Sequence, residues 1–324
     1  MTNATRLSLI QVLADGEFHS GEQLGSQLGI SRSAIAKHIN ILQKWGLDIF
    51  RVQGKGYCLS HPIELLNTES LVTQSGCSTW FVHAVLDSTN QFLLDRMGQV
   101  PSGSLCVAEY QEAGRGRRGR QWCSPFGSNV YLSLYWRLEA GVAAAMGLSL
   151  VIGIVIADVL TELGVPDVRV KWPNDIYVHD KKLAGILVEM TGQTGDAAHL
   201  IIGVGLNMMM SEQEGQSIDQ AWTSVKQCTN KQISRNTLVA RLGQALTSAL
   251  LQYEVQGLGG FIERWAMRDN YYNRPIRLIM GNNEVRGIGR GIDETGALLL
   301  ETDQGIQSFV GGEISLRGDN AIID

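Results

Sequence analysis

The sequence predicts an α+β fold in three parts, and three observations support this class. The first sixty residues carry short helical patterns with small turns between them. Strand patterns with few helices between them follow over the next two hundred residues, as in a mixed or antiparallel sheet. Four short strands then close the chain. The predicted domains are residues 1–62, 67–270 and 271–324, and a chain of 324 residues with 44% apolar residues is long enough for at least two cores.

The net charge of −5 is unevenly distributed along the chain. Residues 1–60 contain six Lys and Arg against four Asp and Glu, which makes this segment +2 and the remainder −7. The N-terminal segment of residues 1–60, here called the head, is thus basic, whereas the rest of the chain, here called the body, is acidic. Such an asymmetry in charge often marks an interaction with nucleic acid. The negative total therefore does not exclude a nucleic-acid partner.

Cysteine spacing and hydropathy predict a reduced, cytoplasmic protein without a membrane span. The five cysteines form no C-x-x-C pair and have no histidine at a zinc-like spacing, so no structural metal is expected. The most apolar stretch, residues 140–165, is interrupted by four glycines, Asp158 and Glu162, which favours a buried core helix. The first residues also lack the apolar core of a signal peptide.

Three helical patterns occupy the N-terminal segment. The first is an apolar stripe over residues 7–14 that ends at a glycine. Ser20 and Gln23 have the spacing of a capping box, and Gly29 ends the second pattern. Ser31 is placed to cap a third helix, in which apolar residues recur at i, i+4 and i+7. A tight turn between the second and third helices is typical of a helix-turn-helix unit.

Two strand patterns, residues 49–52 and 57–59, flank a glycine-rich turn and predict the wing of a winged helix-turn-helix. Between residues 31 and 55 there are five cations and one anion, as a major-groove reader requires, although a solvated charged face has the same pattern. Few phosphate contacts give weak binding, so a homodimer is expected. The predicted DNA-binding segment begins at Gly21 and ends at Asn40, with emphasis on Ser31, Arg32, Ser33, Lys37 and the wing residue Lys55.

The central part reads as short strands with two helices among them. The predicted strands are residues 80–86, 105–110, 129–136, 168–172, 176–178, 184–190 and 200–204, and the predicted helices are residues 90–97 and 142–163.

The loop at residues 111–120, QEAGRGRRGR, satisfies the G-x-G-x-x-G pattern of dinucleotide-binding proteins. That fingerprint needs a helix that opens at the glycines, whereas here Pro125, Gly127 and another strand follow, so a dinucleotide fold is rejected. The four arginines and the flexible glycines instead predict a loop that binds carboxylate or phosphate oxygens. A solvated surface loop is the alternative interpretation.

Two further segments favour an anion site. KWPND at residues 171–175 turns sharply between strands, and Lys182 stands at the start of a buried strand, where it would add a second positive group. A third segment, GVGLN at residues 203–207, is a strand end that contains two glycines. No nucleophilic triad is evident.

From about residue 274 the pattern changes to short strands, residues 276–280, 284–289, 297–301 and 306–310, with glycine-containing turns between them. This pattern predicts a small β-barrel.

Five motifs in order resemble those of biotin protein ligases: residues 87–90 (DSTN), 114–119 (GRGRRG), 171–175 (KWPND), 182–187 (KLAGIL) and 203–207 (GVGLN). Together with the winged helix, the chain from about residue 7 to Arg317 resembles the bifunctional biotin ligases and biotin operon repressors of enteric bacteria. The resemblance implies a biotin/lipoate ligase-like catalytic domain and an SH3-like C-terminal domain.

The resemblance implies a two-step reaction: biotin and ATP give biotinyl-5′-AMP, and a lysine of a biotin carboxyl carrier protein, the acetyl-CoA carboxylase subunit, then takes the biotin. No enzyme nucleophile is needed. The implied catalytic residues are Arg115, Arg117 and Lys182. The implied biotin site contains these three with Ser88, Thr89, Asn90, Gln111 and Gly116.

The implied ATP site is lined by Arg118, Arg120, Trp122, Asn174, Asp175, Asn207 and Trp222. Among these, Trp122 would shield the adenylate from water, Trp222 would stack on adenine, and Asn174 and Asp175 would help to hold Mg-ATP; Mg would arrive with the nucleotide rather than at a resident metal site. Residues 208–215 fit no strict family pattern.

The resemblance also implies that the adenylate-bound homodimer represses the biotin operon by binding its operator DNA. Two alternatives remain open at this point. A lipoate-type ligase shares the acyl-adenylate chemistry and a related fold. A non-catalytic, ligand-sensing winged-helix repressor would use the arginine loop and Lys182 only to bind its effector.

Overall fold

The computed structural model describes residues 2–77, 79–192, 196–311 and 314–318. The N-terminal part contains three helices and a hairpin: α1 (Thr2–Leu13), α2 (Gly21–Leu28), α3 (Arg32–Lys44), β1 (Ile49–Val52) and β2 (Gly56–Leu59). The two strands pair antiparallel. This arrangement confirms the winged helix-turn-helix.

The helix ends follow the local sequence. Ser20 Oγ accepts a hydrogen bond from the Gln23 amide, and Gln23 Oε1 accepts one from the Ser20 amide, both at 3.1 Å. Gly29 ends α2 with a φ of +67°, which glycine adopts without strain. Ser31 Oγ accepts from the Ala34 amide at 3.2 Å and begins α3. The predicted capping box, the glycine stop and the serine cap are therefore confirmed.

The winged helix docks on the central part through aromatic rings. Trp45, just after α3, stacks on Tyr110 and Phe126 with ring centroids 5.6 and 5.9 Å apart. The Phe126 amide also donates to the Trp45 carbonyl at 2.8 Å. The contact joins the head to two segments that border the arginine loop.

The elements of the central part are α4 (Thr68–Ser75), β3 (Trp80–Leu86), α5 (Thr89–Leu94), β4 (Leu105–Gln111), β5 (Val130–Leu138), α6 (Leu148–Glu162), β6 (Arg169–Lys171), β7 (Asp175–Val178), β8 (Lys181–Thr191), β9 (Ala198–Leu206), α7 (Val225–Cys228), α8 (Arg235–Gln256) and α9 (Ile262–Arg268). The strands form a seven-stranded mixed sheet in the order β3-β4-β5-β9-β8-β7-β6, in which β3 and β4 pair parallel and the other neighbours pair antiparallel. On β4, Leu105 and Val107 face the main core, whereas Cys106 faces a smaller cluster beneath α5.

The prediction of few helices was wrong for this part, because α4, α8 and α9 were not anticipated. In α8, Leu238, Leu242, Leu246 and Leu250 recur every four residues and are all buried, so the stripe that forms this helix is visible in the sequence. The predicted helix at 142–163 is also shorter than expected. Gly147, with φ +80°, separates α6 from a 3-10 turn at residues 142–145.

Among the described residues, the segment Val142–Glu162 is long and apolar enough to cross a bilayer by length and composition. Eleven of the fifteen residues of α6 are buried, and α6 packs against α8 within the main core.

The connector between the winged helix and the sheet is fixed by charged side chains, of which Arg235 and Glu109 are buried. Glu64 accepts hydrogen bonds at the first turn of α8, from the Arg235 amide at 2.6 Å and from Asn236 Nδ2 at 2.8 Å. The Arg235 side chain, 2% exposed, donates to the Glu64 and Gly127 carbonyls and forms an ion pair with Glu109. These contacts hold the connector against both α8 and β4.

The C-terminal part is a five-stranded antiparallel sheet in the order β13-β12-β11-β10-β14. Its strands are β10 (Pro275–Met280), β11 (Asn283–Ile292), β12 (Leu298–Thr302), β13 (Gly305–Phe309) and β14 (Ile314–Gly318). The strand β14 was missed by the sequence prediction, which ended at residue 310. It pairs with β10 and brings its own residues to the edge of the cleft described next.

Candidate functional site

A cleft lies where the arginine loop covers one end of the central sheet. The loop forms its roof, the first turn of α5 and the end of β4 form its floor, and the β6–β7 turn, β8 and β14 form its sides. The cleft contains most of the residues that the sequence predicted, namely Ser88, Thr89, Asn90, Gln111, Arg115, Gly116, Arg117, Arg118, Arg120, Trp122, Asn174, Asp175 and Lys182.

The floor of the cleft is a buried polar cluster. Thr89, Asn90 and Gln111 are each at most 9% exposed. Gln111 Oε1 accepts from the Thr89 amide at 3.0 Å and lies 3.2 Å from Thr89 Oγ1. Ser133 on β5, fully buried, lies 2.7 Å from Thr89 Oγ1 and 2.5 Å from Asn90 Oδ1. Ser133 was missed by the sequence analysis because it belongs to no motif.

Proton counting shows that this floor has capacity left for a ligand. The hydroxyls of Thr89 and Ser133 carry one proton each, but their three close oxygen contacts would need three. Thr89 Oγ1 donates to Gln111 Oε1, and the single Ser133 proton can serve only one of Thr89 Oγ1 and Asn90 Oδ1 at a time, so the other oxygen can accept from a ligand. The cluster therefore offers oxygen acceptors to a buried ligand that carries N–H groups.

Glycines at two strand positions make room for the site. A Cβ on Gly203 would lie 2.3 Å from Asn90 Oδ1, and a Cβ on Gly205 would lie 2.3 Å from the Trp122 ring. These distances are too short for any side chain. The two glycines near the end of β9 thus leave room for one floor residue, Asn90, and one roof residue, Trp122.

The arginine loop is closed over the floor. The Trp122 amide donates to the Gly114 carbonyl at 2.9 Å, and the Gly116 amide donates to the Arg120 carbonyl at 2.7 Å. Arg117 reaches across the cleft, where its Nη1 donates to Asn174 Oδ1 at 2.8 Å. The Arg117 guanidinium therefore faces the turn between β6 and β7.

Lys182 lies within β8, beside the end of the loop. Its Nζ forms an ion pair with Asp175 Oδ1 at 2.8 Å, and each side chain is 15% exposed. The same Nζ lies 5.5 Å from the ring centroid of Trp122, within the range of a cation–π contact. The Trp122 indole N–H is buried and has no acceptor among the described residues.

Lys171 and Arg317 also line the cleft, although the sequence analysis assigned neither a role. Lys171 is 3% exposed and donates from Nζ to the Tyr177 hydroxyl at 2.8 Å. Burial lowers the pKa of Lys171 to about 8, against the opposing effect of Asp175. Arg317 comes from β14, so the C-terminal sheet contributes a cation to the cleft.

A second cleft adjoins the first and contains the two remaining predicted residues, Asn207 and Trp222. The two clefts share Arg120, Trp122 and Lys182 in their linings. Asn207 Nδ2 donates to the Thr223 carbonyl at 3.1 Å, and this bond holds the segment before α7 in place. The structure thus brings all the predicted ligase residues into two connected clefts.

Positive charge dominates this region. Four loop arginines, Lys171, Lys182 and Arg317 stand against Asp175 and Glu189. Within the described ranges there is no group of three or more His, Cys, Asp and Glu side chains that could hold a metal ion. The arrangement suits a ligand with several negative charges next to a neutral polar group.

The predicted DNA-reading residues lie together on one surface of the winged helix. Ser31, Arg32, Ser33, Lys37 and Asn40 are exposed at the start of α3 and along it, while Ile35, Ile39 and Leu42 are buried. Lys55 is exposed at the tip of the wing, with its Nζ 5.3 Å from the ring centroid of Phe18.

The comparisons with known proteins agree with this geometry. The model of the biotin/lipoate A/B protein ligase family matches residues 82–207, that of the biotin protein ligase C terminal domain matches residues 271–317, and that of an HTH domain matches residues 5–58. A solved structure of biotin protein ligase from Aquifex aeolicus in complex with biotin and ATP aligns with a TM-score of 0.66 and 26% identity, over 75% of this chain and 100% of that chain.

Two relatives align with nearly the whole chain. The bifunctional ligase/repressor BirA of Escherichia coli (strain K12) is 56% identical over 97% of this chain and 98% of that protein. The protein of the same name from Bacillus subtilis (strain 168) is 31% identical over 98% of this chain and its own entire length. The chain therefore belongs to the family of bifunctional biotin protein ligases and repressors.

Proposed function

We propose that this protein activates biotin with ATP and transfers it to a lysine of a biotin carboxyl carrier protein, the subunit of acetyl-CoA carboxylase. The observation that carries the proposal is the pairing of a buried polar floor with a cationic roof in one cleft. The floor suits the ureido group of biotin, whose N–H groups would meet the acceptors of Asn90, Thr89 and Gln111. The roof suits a carboxylate and a triphosphate.

In the first step a carboxylate oxygen of biotin attacks the α-phosphorus of ATP, and the bond from that phosphorus to the bridging oxygen of pyrophosphate breaks. Pyrophosphate leaves with the electron pair. Arg115, Arg117 and Lys182 are the proposed catalytic residues, because two anions can approach only where cations offset their repulsion. Gly116 allows the loop backbone to come close to the bound biotin.

Magnesium is proposed to enter with ATP. Asn174 and Asp175 would help to hold it, since amide and carboxylate oxygens are the protein ligands that Mg²⁺ prefers. Arg117 already contacts Asn174 Oδ1, and Lys182 already contacts Asp175 Oδ1. Two such protein oxygens suit an ion whose other ligands come mainly from the phosphates.

In the second step the amine of the carrier lysine attacks the acyl carbon of biotinyl-AMP, and AMP leaves as the amine loses a proton. Until then the mixed anhydride must be kept from water. Trp122 covers the strand end at Gly205, and Trp222 lies in the adjoining cleft as the proposed partner of adenine. Arg118 and Arg120, both exposed on the loop, are proposed to support its closure.

The proposed regulatory role is repression of the biotin operon by an adenylate-bound homodimer. The exposed basic face of α3 and the wing would read operator DNA. Loop ordering by biotinyl-AMP would bias dimer formation, and each tenfold gain in dimer affinity needs only about 1.4 kcal/mol of coupling.

The proposed location is the cytoplasm, and all five cysteines are free thiols. The proposed domains are residues 1–62, 67–270 and 271–324.

The Arg117→Ala variant is expected to keep its fold yet release biotinyl-AMP about tenfold faster, because the contact from the loop to Asn174 is lost. The measurement is the dissociation rate of labelled biotinyl-AMP from the purified chain. Arg137→Ala, which removes an exposed pair with Glu139, is the control and should release it at the wild-type rate. A wild-type lifetime in Arg117→Ala would contradict a closing role for the loop.

ATP binding is expected to weaken above pH 8, by up to tenfold per pH unit if binding requires the protonated form of Lys171. With a pKa of about 8, this amine is charged below that pH and loses its charge as the pH rises through it. The measurement is the KM for ATP between pH 7 and 9.5. Lys171→Arg stays charged and should flatten the profile, and an equal slope in both proteins would refute the role of Lys171.

The decisive experiment is incubation of the protein with ATP and either biotin or lipoate, followed by mass analysis of the adenylate and of a carrier domain. Biotinyl-AMP and a biotinylated lysine are expected, because the buried acceptors of the floor would stay unpaired against the apolar ring of lipoate. Lipoyl-AMP without biotinyl-AMP would establish the lipoate-type alternative. Ligand binding without any labelled carrier would establish a non-catalytic repressor.

A further inference from the structure

Glu189 on β8 connects the roof of the cleft to its floor. Its Oε2 accepts a hydrogen bond from Arg115 Nη2 at 2.8 Å and another from Asn90 Nδ2 at 2.7 Å. Arg115 is the first arginine of the loop, and Asn90 belongs to the buried polar cluster. One carboxylate oxygen thus holds a cation of the roof and an amide of the floor at the same time.

The contact to Glu189 also fixes the orientation of the Asn90 amide. Its Nδ2 can only donate, so the amide must point its nitrogen to the carboxylate and its Oδ1 to the Ser133 hydroxyl. An amide turned the other way would place an oxygen against a carboxylate. The same Nδ2 also donates to the Leu187 carbonyl at 3.4 Å, so Glu189, by the shorter bond, and Leu187 together set the acceptor that Asn90 offers to a ligand.

The floor continues from Asn90 to the far end of the arginine loop. Gln111 Nε2 donates to Ser124 Oγ at 3.1 Å, and Ser124 Oγ lies 3.0 Å from the Trp122 carbonyl, to which it can donate. Both ends of the loop are therefore hydrogen-bonded to the same buried cluster, the first through Glu189 and the second through Ser124. Glu189 is the only carboxylate among the described residues that make these contacts.

We infer that Glu189 is a positioning residue that links closure of the arginine loop to the polar floor that receives the ligand. It contacts no reacting atom and acts through Arg115 and Asn90. The inference rests on the proposed function, since it assigns the floor to biotin and the roof to the adenylate. It predicts that loss of the carboxylate shortens the lifetime of bound biotinyl-AMP more than it slows the chemistry.

The test compares Glu189→Gln with wild-type protein. Glutamine has nearly the same shape and keeps an oxygen acceptor, but it has no charge to hold Arg115. Biotinyl-AMP is expected to dissociate about tenfold faster, as for the loss of a charge-assisted hydrogen bond, with its single-turnover formation within threefold of wild type. Glu189→Ala is expected to raise the KM for biotin as well, because Asn90 Nδ2 then keeps only its longer hydrogen bond to the Leu187 carbonyl. Glu139→Gln, at an exposed pair with Arg137, is the matched control.

A second measurement separates this role from general stability. In an Arg115→Ala background, Glu189→Gln should no longer accelerate dissociation, because the partner of the carboxylate is already gone. Equal acceleration in both backgrounds, or wild-type dissociation from Glu189→Gln and Glu189→Ala, would overturn the inference. Failure of the wild-type protein to form biotinyl-AMP would instead refute the proposed function, so the two failures are distinct.

Discussion

Replacing Lys182 with methionine is expected to lower the rate of biotinyl-AMP formation by about 10²- to 10³-fold, the range found when one preorganised donor is removed from a transition state. The Lys182 Nζ lies beside Asp175 and Trp122, where the two substrates would meet in the proposed site. It is largely buried, so water would screen its charge only weakly. The measurement is single-turnover formation of labelled adenylate at saturating ATP.

The neighbouring Lys181 provides a matched control for this variant. It is exposed at the first position of β8, and Lys181→Met should form the adenylate at the wild-type rate. Thermal unfolding of both variants shows whether the loss of the pair with Asp175 has disturbed the fold. A Lys182→Met protein that folds normally and retains its activity would refute the catalytic assignment.

The double variant Arg32→Ala with Lys37→Ala is expected to weaken operator binding at least 10²-fold at physiological salt, while ligation stays within twofold. Both side chains are exposed on α3, far in sequence from the cleft residues. In the proposed dimer the change removes up to four phosphate or base contacts, and each lost phosphate contact should reduce the salt slope by about one. The measurements are a gel shift with biotin and ATP present, and carrier biotinylation.

The control for the DNA experiment is Lys226→Ala with Lys231→Ala, which removes two exposed cations from the catalytic part. This variant should bind operator DNA as the wild type does. Loss of ligation together with DNA binding in the Arg32 and Lys37 variant would show that the two activities are not separable.

The features that the sequence predicted best depend on neighbours along the chain. The cap at Ser20, the left-handed glycine at Gly29 and the serine cap at Ser31 each need only a few adjacent residues, and all three are confirmed. The five ordered motifs also led to residues of the cleft. By contrast, α8 was not predicted although its leucines repeat every four residues, because the strand patterns before it predict a strand-rich domain.

The site residues that sequence analysis missed depend on distant pairing. Glu189 and Asn90 are 99 residues apart, and Ser133 reaches the floor from the middle of β5. Arg317 enters the cleft only because β14 pairs with β10. Strand register decides which of these side chains point into the cleft, and that register depends on pairing with strands far away in the sequence, which local patterns do not reveal.

The connector between head and body has a consequence for the distance between the two DNA sites that the proposed dimer would bind. Glu64 and Arg235 tie the connector to α8, and Trp45 holds the head against Tyr110 and Phe126, so the head is attached to the body at two places. Two heads on paired bodies would stand at a separation set by the contact between the bodies. The contact between the catalytic parts would thus set the spacing of the two operator half-sites. The winged helices would recognise the bases within each half-site.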